Sequence, residues 1–183
     1  MFRLAAVATL IGLTLVSQAA EAATARFGKG TVELYPSVAY RFKDDSNPGT
    51  SRMFNLSSVA GYVGYFVSDR IELGAALLAQ KDFNADETRA GVTAGATINS
   101  TLAEDVAPYL RGSLGVVAGS EPEGSTLILP QIEGGLRMRI GRATSLTFSF
   151  SFQHYENTGA LDLSKNAWTL GGGVSFFPVL GKK

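Results

Sequence analysis

The sequence predicts an all-β chain: an eight-stranded antiparallel up-and-down transmembrane β-barrel. Three observations carry the prediction. Apolar and polar residues alternate with period two in segment after segment, as side chains do along a strand. The segments are roughly ten or more residues long, the length a tilted strand needs to cross a hydrocarbon layer. The last of them, Ala167 to Phe177, ends in a pattern suited to closing such a barrel. Trp168, Leu170, Gly172, Val174 and Phe176 fall on one face, and Thr169, Gly171, Gly173 and Ser175 on the other.

Composition agrees with one domain. The chain has 183 residues, 17% charged, with 21 glycines and no cysteine. The missing cysteine excludes disulfide staples, thiolate metal sites and cysteine nucleophiles. A formal net charge of zero gives no case for a nucleic-acid partner.

The first 25 residues read as a cleaved secretory signal peptide. Arg3 supplies the positive start, and Leu4 to Val16 is an apolar run too short to span a bilayer as a helix. Ala20-Glu21-Ala22 and Ala23-Thr24-Ala25 both fit small-x-small cleavage, so the cut falls after Ala22 or Ala25. Residues 26–183 form the barrel domain, with no other long apolar run.

The strands follow in order. Thr31 to Phe42 sets Val32, Leu34, Pro36, Val38, Tyr40 and Phe42 against Glu33, Tyr35, Ser37, Ala39 and Arg41. Pro36 cannot donate to a ladder and argues mildly against pairing there. A turn-rich loop, KDDSNPGTS, follows. Met53 to Val67 carries apolar residues on both faces, which leaves its register open. After Ser68-Asp69-Arg70, Ile71 to Gln80 sets Ile71, Leu73, Ala75, Leu77 and Ala79 against Glu72, Gly74, Ala76, Leu78 and Gln80. Lys81 to Glu87 reads as a polar loop. Arg89 to Asn99 sets Val92, Ala94, Ala96 and Ile98 against Thr93, Gly95, Thr97 and Asn99, and turn-like residues run to Pro108.

Tyr109 to Ala118 sets Leu110, Leu114 and Val116 against Tyr109, Arg111 and Ser113. Leu127 to Ile140 sets Ile128, Ile132, Leu136, Met138 and Ile140 against Gln131, Glu133, Arg137 and Arg139. Ser145 to Gln153 alternates most cleanly: Leu146, Phe148, Phe150 and Phe152 against Ser145, Thr147, Ser149, Ser151 and Gln153. Connections after strands two, four and six read shorter than those after one, three and seven. Short periplasmic turns and longer external loops have this asymmetry.

Alternation alone does not say which face is outside. The polar face is built of Gly, Ser, Thr and Ala, which suits a narrow lumen. The bulky face carries aromatics near strand ends, at Tyr40, Phe42, Phe152, Trp168 and Phe176, where interfacial girdles form. The oily face is therefore expected to point outward; a soluble barrel of lipocalin type would point it inward.

Two phrases sharpen the reading. Gly61 to Gly74, GYVGYFVSDRIELG, looks like the strand-turn-strand phrase of the small bacterial outer-membrane β-barrel family, whose familiar member is the outer-membrane protein A transmembrane domain. Thr169-x-Gly171-x-x-Val174-x-Phe176 resembles that family's assembly signal. The chain departs from the family by continuing past Phe177 to Lys183. The resemblance implies a bacterial outer-membrane location in a two-membrane cell, a monomer surrounded by outer-membrane lipid and lipopolysaccharide, and the barrel assembly machinery as partner. It implies no cofactor.

Candidate chemistry is confined to the polar face. Glu33, Arg41, Glu72, Arg111, Glu133, Arg137 and Arg139 would share one lumen, with Glu33, Glu72, Arg111, Arg137 and Arg139 low and Glu133 near the middle. In a barrel of about eight strands side chains fill the interior. The expectation is an ion-pair plug and a structural or surface-contact role; a charged gate, and thus a narrow porin-like channel, is the alternative. His154, the single histidine, lies in His154-Tyr155-Glu156-Asn157. That passage resembles the active-site segment of outer-membrane lipid A deacylases, with Glu156 where their serine nucleophile stands. No catalytic residue is therefore expected, and His154 should face outward with Phe152. Asp44, Asp45 and Asn47 lack the spacing of a calcium loop, so no metal is expected. Gly171-Gly172-Gly173 precedes no helix and is no phosphate loop.

Overall fold

A computed structural model of the chain describes residues 28–44, 55–82, 87–100, 105–119, 126–157 and 165–178. The signal-peptide segment lies outside them, as do Asp45, Asn47 and the side chain of Asp44. Eight strands run in order: β1 (Val32–Asp44), β2 (Asn55–Phe66), β3 (Ile71–Asp82), β4 (Glu87–Asn99), β5 (Val106–Gly119), β6 (Thr126–Gly141), β7 (Thr144–Asn157) and β8 (Lys165–Phe176). Each pairs antiparallel with its neighbour, and β8 pairs with β1 to close the barrel. No described helix is long and apolar enough to cross a membrane, which does not bear on strands.

Alternation becomes inside and outside. Leu77, Ile98, Leu114 and Ile132 are 72%, 61%, 60% and 60% exposed on the outer face, while Glu33, Glu72, Thr97 and Arg137 are 0% exposed within. A continuous apolar belt of this kind suits hydrocarbon rather than water. The open register of the second strand resolves with Tyr62 and Phe66 buried and Val59, Val63 and Tyr65 outside. Three outer aromatics cluster where β7 meets β8: the Trp168 ring lies 5.2 Å from Phe150 and 4.8 Å from Phe152.

Three strand prolines fit because each spares one ladder. Pro36 pairs with Gly61 on β2, while the β1–β8 register passes from Leu34↔Phe176 to Ser37↔Gly173. Pro130 pairs with Leu114 on β5, while the β6–β7 register passes from Ile128↔Glu156 to Gln131↔Gln153. Pro108 pairs with Leu136 on β6 just beyond the last β4–β5 pair, Asn99↔Tyr109. A residue without an N–H is tolerated where one neighbour asks nothing of it.

Two expectations need correction. The polar run Lys81 to Glu87 is not all loop: Lys81↔Thr88 and Asp82↔Glu87 extend the β3–β4 ladder, leaving residues 83–86 as the connection. That connection is no longer than the 67–70 turn and shorter than residues 100–105. The loop-and-turn asymmetry therefore rests on residues 45–54 and 158–164 against 67–70 and 142–143. The turn-like run before Pro108 also joins the sheet early, since Val106 and Ala107 pair with Met138 and Arg137. Backbone pairing overrode local polarity in both places.

Candidate functional site

The lumen is organised in layers. Nearest the turn end, Arg137 on β6 reaches across the barrel to β1 and β3. Its Nη2 donates to Glu33 Oε2 at 2.6 Å and to Glu72 Oε2 at 3.0 Å, and its Nη1 donates to Asn99 Oδ1. The Ser175 hydroxyl donates to Glu33 Oε1 at 2.5 Å and lies 2.9 Å from Thr147 Oγ1. Below this layer the Phe66 and Phe177 rings, 6.5 Å apart, close the turn-end mouth, and the Phe177 N–H donates to the Ala143 carbonyl. Glu33, Glu72 and Arg137 have no solvent-exposed surface; a guanidinium there would be costly without carboxylate partners.

The second layer is more local. Arg111 and Glu133 are register partners on β5 and β6, and Arg111 Nη1 donates to Glu133 Oε1 at 3.3 Å. The Tyr109 hydroxyl donates to the same oxygen at 2.6 Å, and Gln131 Nε2 donates to Glu133 Oε2 at 3.3 Å. Arg111 Nε donates to Thr97 Oγ1 at 2.9 Å. The guanidinium carbon of Arg111 stands 3.8 Å from the Tyr62 ring centroid and 5.4 Å from that of Tyr109. Tyr109 is also 4.5 Å from the Arg137 guanidinium, so one ring couples the two layers by cation–π contact.

Inward glycines make room for these rings. A Cβ on Gly74 would stand 2.2 Å from the Tyr62 hydroxyl, one on Gly135 would stand 2.6 Å from the Tyr109 ring, and one on Gly173 would stand 2.8 Å from the Tyr35 ring. Small residues on the polar face are therefore the sockets of the large ones.

Towards the loop end the lining turns apolar. Val117, Leu127, Leu129, Tyr155 and Ala167 pack together inside the barrel, with Leu78 against them. The Tyr155 hydroxyl donates to Gln153 Oε1 at 2.7 Å and accepts from Gln80 Nε2 at 3.0 Å. Between this roof and the Arg111 layer lies a chamber of about 70 Å³ with a mixed lining, Ala60, Ala76 and Leu78 beside Arg111, Ser113 and Gln153.

The expected charge set is thus distributed. Glu33, Glu72 and Arg137 meet in one layer, and Arg111 and Glu133 in the next. Arg139 sits apart at the turn-end rim, 3.9 Å from Asp105. Arg41 is on β1, but its side chain lies outside the described residues. Sequence reasoning passed over Tyr109, Asn99, Ser175 and the roof. Their signal was parity: Tyr109 stands two residues from Arg111, and Leu127 and Leu129 continue the face of Gln131 and Glu133.

The residues of the assembly-like pattern line the closing strand. Thr169 and Gly171 face in, with Thr169 Oγ1 2.5 Å from Ser151 Oγ. Phe176 pairs with Leu34 on one side and Thr144 on the other. His154 opposes Asn166 across β7–β8, its Nδ1 2.7 Å from Asn166 Oδ1. No cluster of metal-ligating side chains occurs among the described residues.

No protein-family model matches the chain, and no curated protein matches it in sequence. Solved structures match in fold. Neisserial surface protein A superposes with a TM-score of 0.61 at 17% identity, over 80% of this chain and 95% of that one. The N-terminal β-barrel domain of Pseudomonas aeruginosa OprF gives a TM-score of 0.57 at 18% identity, over 81% and 99%. The outer membrane enzyme PagL gives a TM-score of 0.52 at 12% identity, over 78% and 98%. Identities this low establish architecture and carry no activity with them. The chain has the closed eight-stranded fold of the small bacterial outer-membrane barrels.

Proposed function

We propose that the protein is an integral barrel of the bacterial outer membrane with a side-chain-filled, non-conducting lumen, serving without catalysis in a structural or surface-contact role through its loop end. The observation that carries the reading is the placement of Arg137 between Glu33 and Glu72, which ties three strands across the lumen and occupies its section. The outward apolar belt and the shared fold support the membrane location. On this reading outer-membrane lipid and lipopolysaccharide surround a monomer, and Thr169, Gly171, Val174 and Phe176 address the barrel assembly machinery.

The test has two parts. The outer-membrane fraction should yield a band whose gel migration shifts on boiling, and purified protein in planar bilayers should pass no steady current. A chain found only in the soluble periplasmic fraction overturns the location; large steady currents overturn the plug.

A second reading, a narrow channel for small solutes, is favoured by the chamber, which leaves part of the lumen unfilled. A lipid A-modifying activity has less support, because His154 faces Asn166 and the pattern carries Glu156 where the deacylases have serine. Loss of an acyl chain from lipid A on overexpression, read by mass spectrometry, would overturn the non-catalytic assignment.

A further inference from the structure

The two ends of the barrel differ in charge. At the turn end the described charges outside the lumen are Lys29, Arg70, Arg139 and Arg142 against Asp69 and Asp105. Both carboxylates are engaged. Asp69 Oδ1 accepts the Lys29 N–H at 3.0 Å, and Asp105 lies 3.9 Å from Arg139. Arg70 and Arg142 are exposed, and neither has a carboxylate partner among the described residues. The loop-end segments 41–55, 81–89, 119–126 and 156–165 instead carry nine acidic and six basic residues. An excess of cations therefore belongs to one end.

Both arginines stand on fixed backbone. In the 67–70 turn the Ser68 hydroxyl accepts the Ile71 N–H at 3.0 Å, and the Arg70 carbonyl accepts the Asn99 N–H of β4 at 2.7 Å. Arg142 caps the turn closed by the Gly141↔Thr144 pair. The next residue, Ala143, is buried, and its carbonyl accepts the Phe177 N–H at 2.9 Å. The backbone at each site is already ordered, so a ligand has only the side chain to immobilise.

The apolar belt begins beside both. Ile71 follows Arg70 and is 43% exposed; Ile140 precedes Gly141-Arg142 and is 59% exposed. An outward apolar side chain within two residues of an exposed guanidinium sets that cation at the edge of the hydrocarbon, the depth of lipid headgroups. A guanidinium fork also matches phosphate oxygens. The β2–β3 and β6–β7 turns lie four strands apart in a ring of eight, on opposite sides of the barrel. Cations spread round the rim suit an encircling layer of lipid better than one macromolecule docked on one side.

We propose that the turn-end rim is a binding surface for anionic phospholipid, with Arg70 and Arg142 each holding a headgroup and Ile71 and Ile140 lying along its acyl chains. The assignment rests on the membrane-spanning reading above and names the lipid class at one end of the barrel.

The protein is reconstituted into phosphatidylcholine bilayers doped with spin-labelled phosphatidylglycerol or spin-labelled phosphatidylcholine. Electron paramagnetic resonance reads the fraction of each probe slowed at the protein surface. Phosphatidylglycerol should be preferred by about fivefold at each arginine site, the worth of one basic residue at an anionic surface. Arg70→Gln combined with Arg142→Gln should abolish most of that preference, and so should high salt. Lys81→Gln, which removes a cation at the loop end, should keep it. Equal slowing of the two probes overturns the proposal and leaves the membrane reading standing; no slowed lipid of either kind overturns both. A preference that survives the double variant, or that falls equally with Lys81→Gln, shows that the rim arginines do not select the lipid. Absence of preference, with co-sedimentation on isolated peptidoglycan that the double variant loses, would assign the arginines to a cell-wall polymer instead.

Discussion

Arg137 and Glu33, 104 positions apart in the chain, meet at 2.6 Å inside the barrel. Glu72 approaches the same Arg137 nitrogen at 3.0 Å. The contact joins β6 to β1 and β3, so it forms only once the sheet has closed. Arg137→Met would leave two carboxylates buried without their counter-charge. A loss of about 3–5 kcal/mol in folding stability is expected, the usual result of breaking a buried pair. Urea unfolding in lipid vesicles measures it. Adding Glu33→Gln and Glu72→Gln to Arg137→Met should recover most of the loss, because the charges then leave together; a triple variant no better than the single one would show that the layer is not held by charge compensation.

Tyr62 and Gly74 give a steric counterpart. A methyl group at Gly74 would stand 2.2 Å from the Tyr62 hydroxyl, whereas one at Gly112 on the outer face meets nothing within 4 Å. Gly74→Ala must push Tyr62 off the Arg111 guanidinium and should destabilise by about 1–3 kcal/mol, as overpacking does. Gly112→Ala should stay within about 0.5 kcal/mol. Equal effects in the same unfolding assay would refute the socket arrangement.

These two sites mark what the sequence could and could not show. Period two placed Glu33, Glu72, Glu133, Arg111 and Arg137 on one face, because a strand allows only two sides. Which of them would touch depends on the stagger of strands around the closed barrel, and alternation is silent on stagger. Arg139 shares parity with Arg137 yet lies at the rim beside Asp105. Parity carried to the strand ends would have found Leu127 and Leu129 inside. An inward face read for its charges and small residues, with Leu78 as an apolar exception, leaves Leu127 and Leu129 unassigned, although apolar residues at loop-end depth also satisfy an inward face. The Lys81 to Glu87 run misled for another reason: polar residues at a barrel rim can stay in the ladder because solvent is available to them.

Leu77 tests the environment of the outer face. It is 72% exposed at mid-strand, flanked by Val92 and Gly61 across the ladders. Leu77→Arg in a hydrocarbon layer should cost about 2–4 kcal/mol, with the largest effect for a midplane position. On a water-facing surface the same change would stay within about 0.5 kcal/mol. Folding equilibria of the variant in lipid vesicles separate the two, and a negligible change would argue that this belt does not meet lipid.

Phe176 lies at the seam, opposite Leu34 of β1 and Thr144 of β7, with Phe177 turned inward against Phe66. It is both the end of the closing ladder and the aromatic position of the assembly-like pattern. Phe176→Asp places a carboxylate beside Leu34 at that seam and removes the aromatic side chain. Surface yield in cells should fall severalfold, while Lys183→Asp, beyond the pattern, should leave it nearly unchanged. Refolding of the purified Phe176→Asp protein into vesicles distinguishes two causes. If it refolds in vitro as readily as the parent, the residue acts through the assembly machinery. If it fails there too, the loss lies in closing β8 onto β1. Equal cellular yields for the two variants would remove the basis for assigning Phe176 to either role.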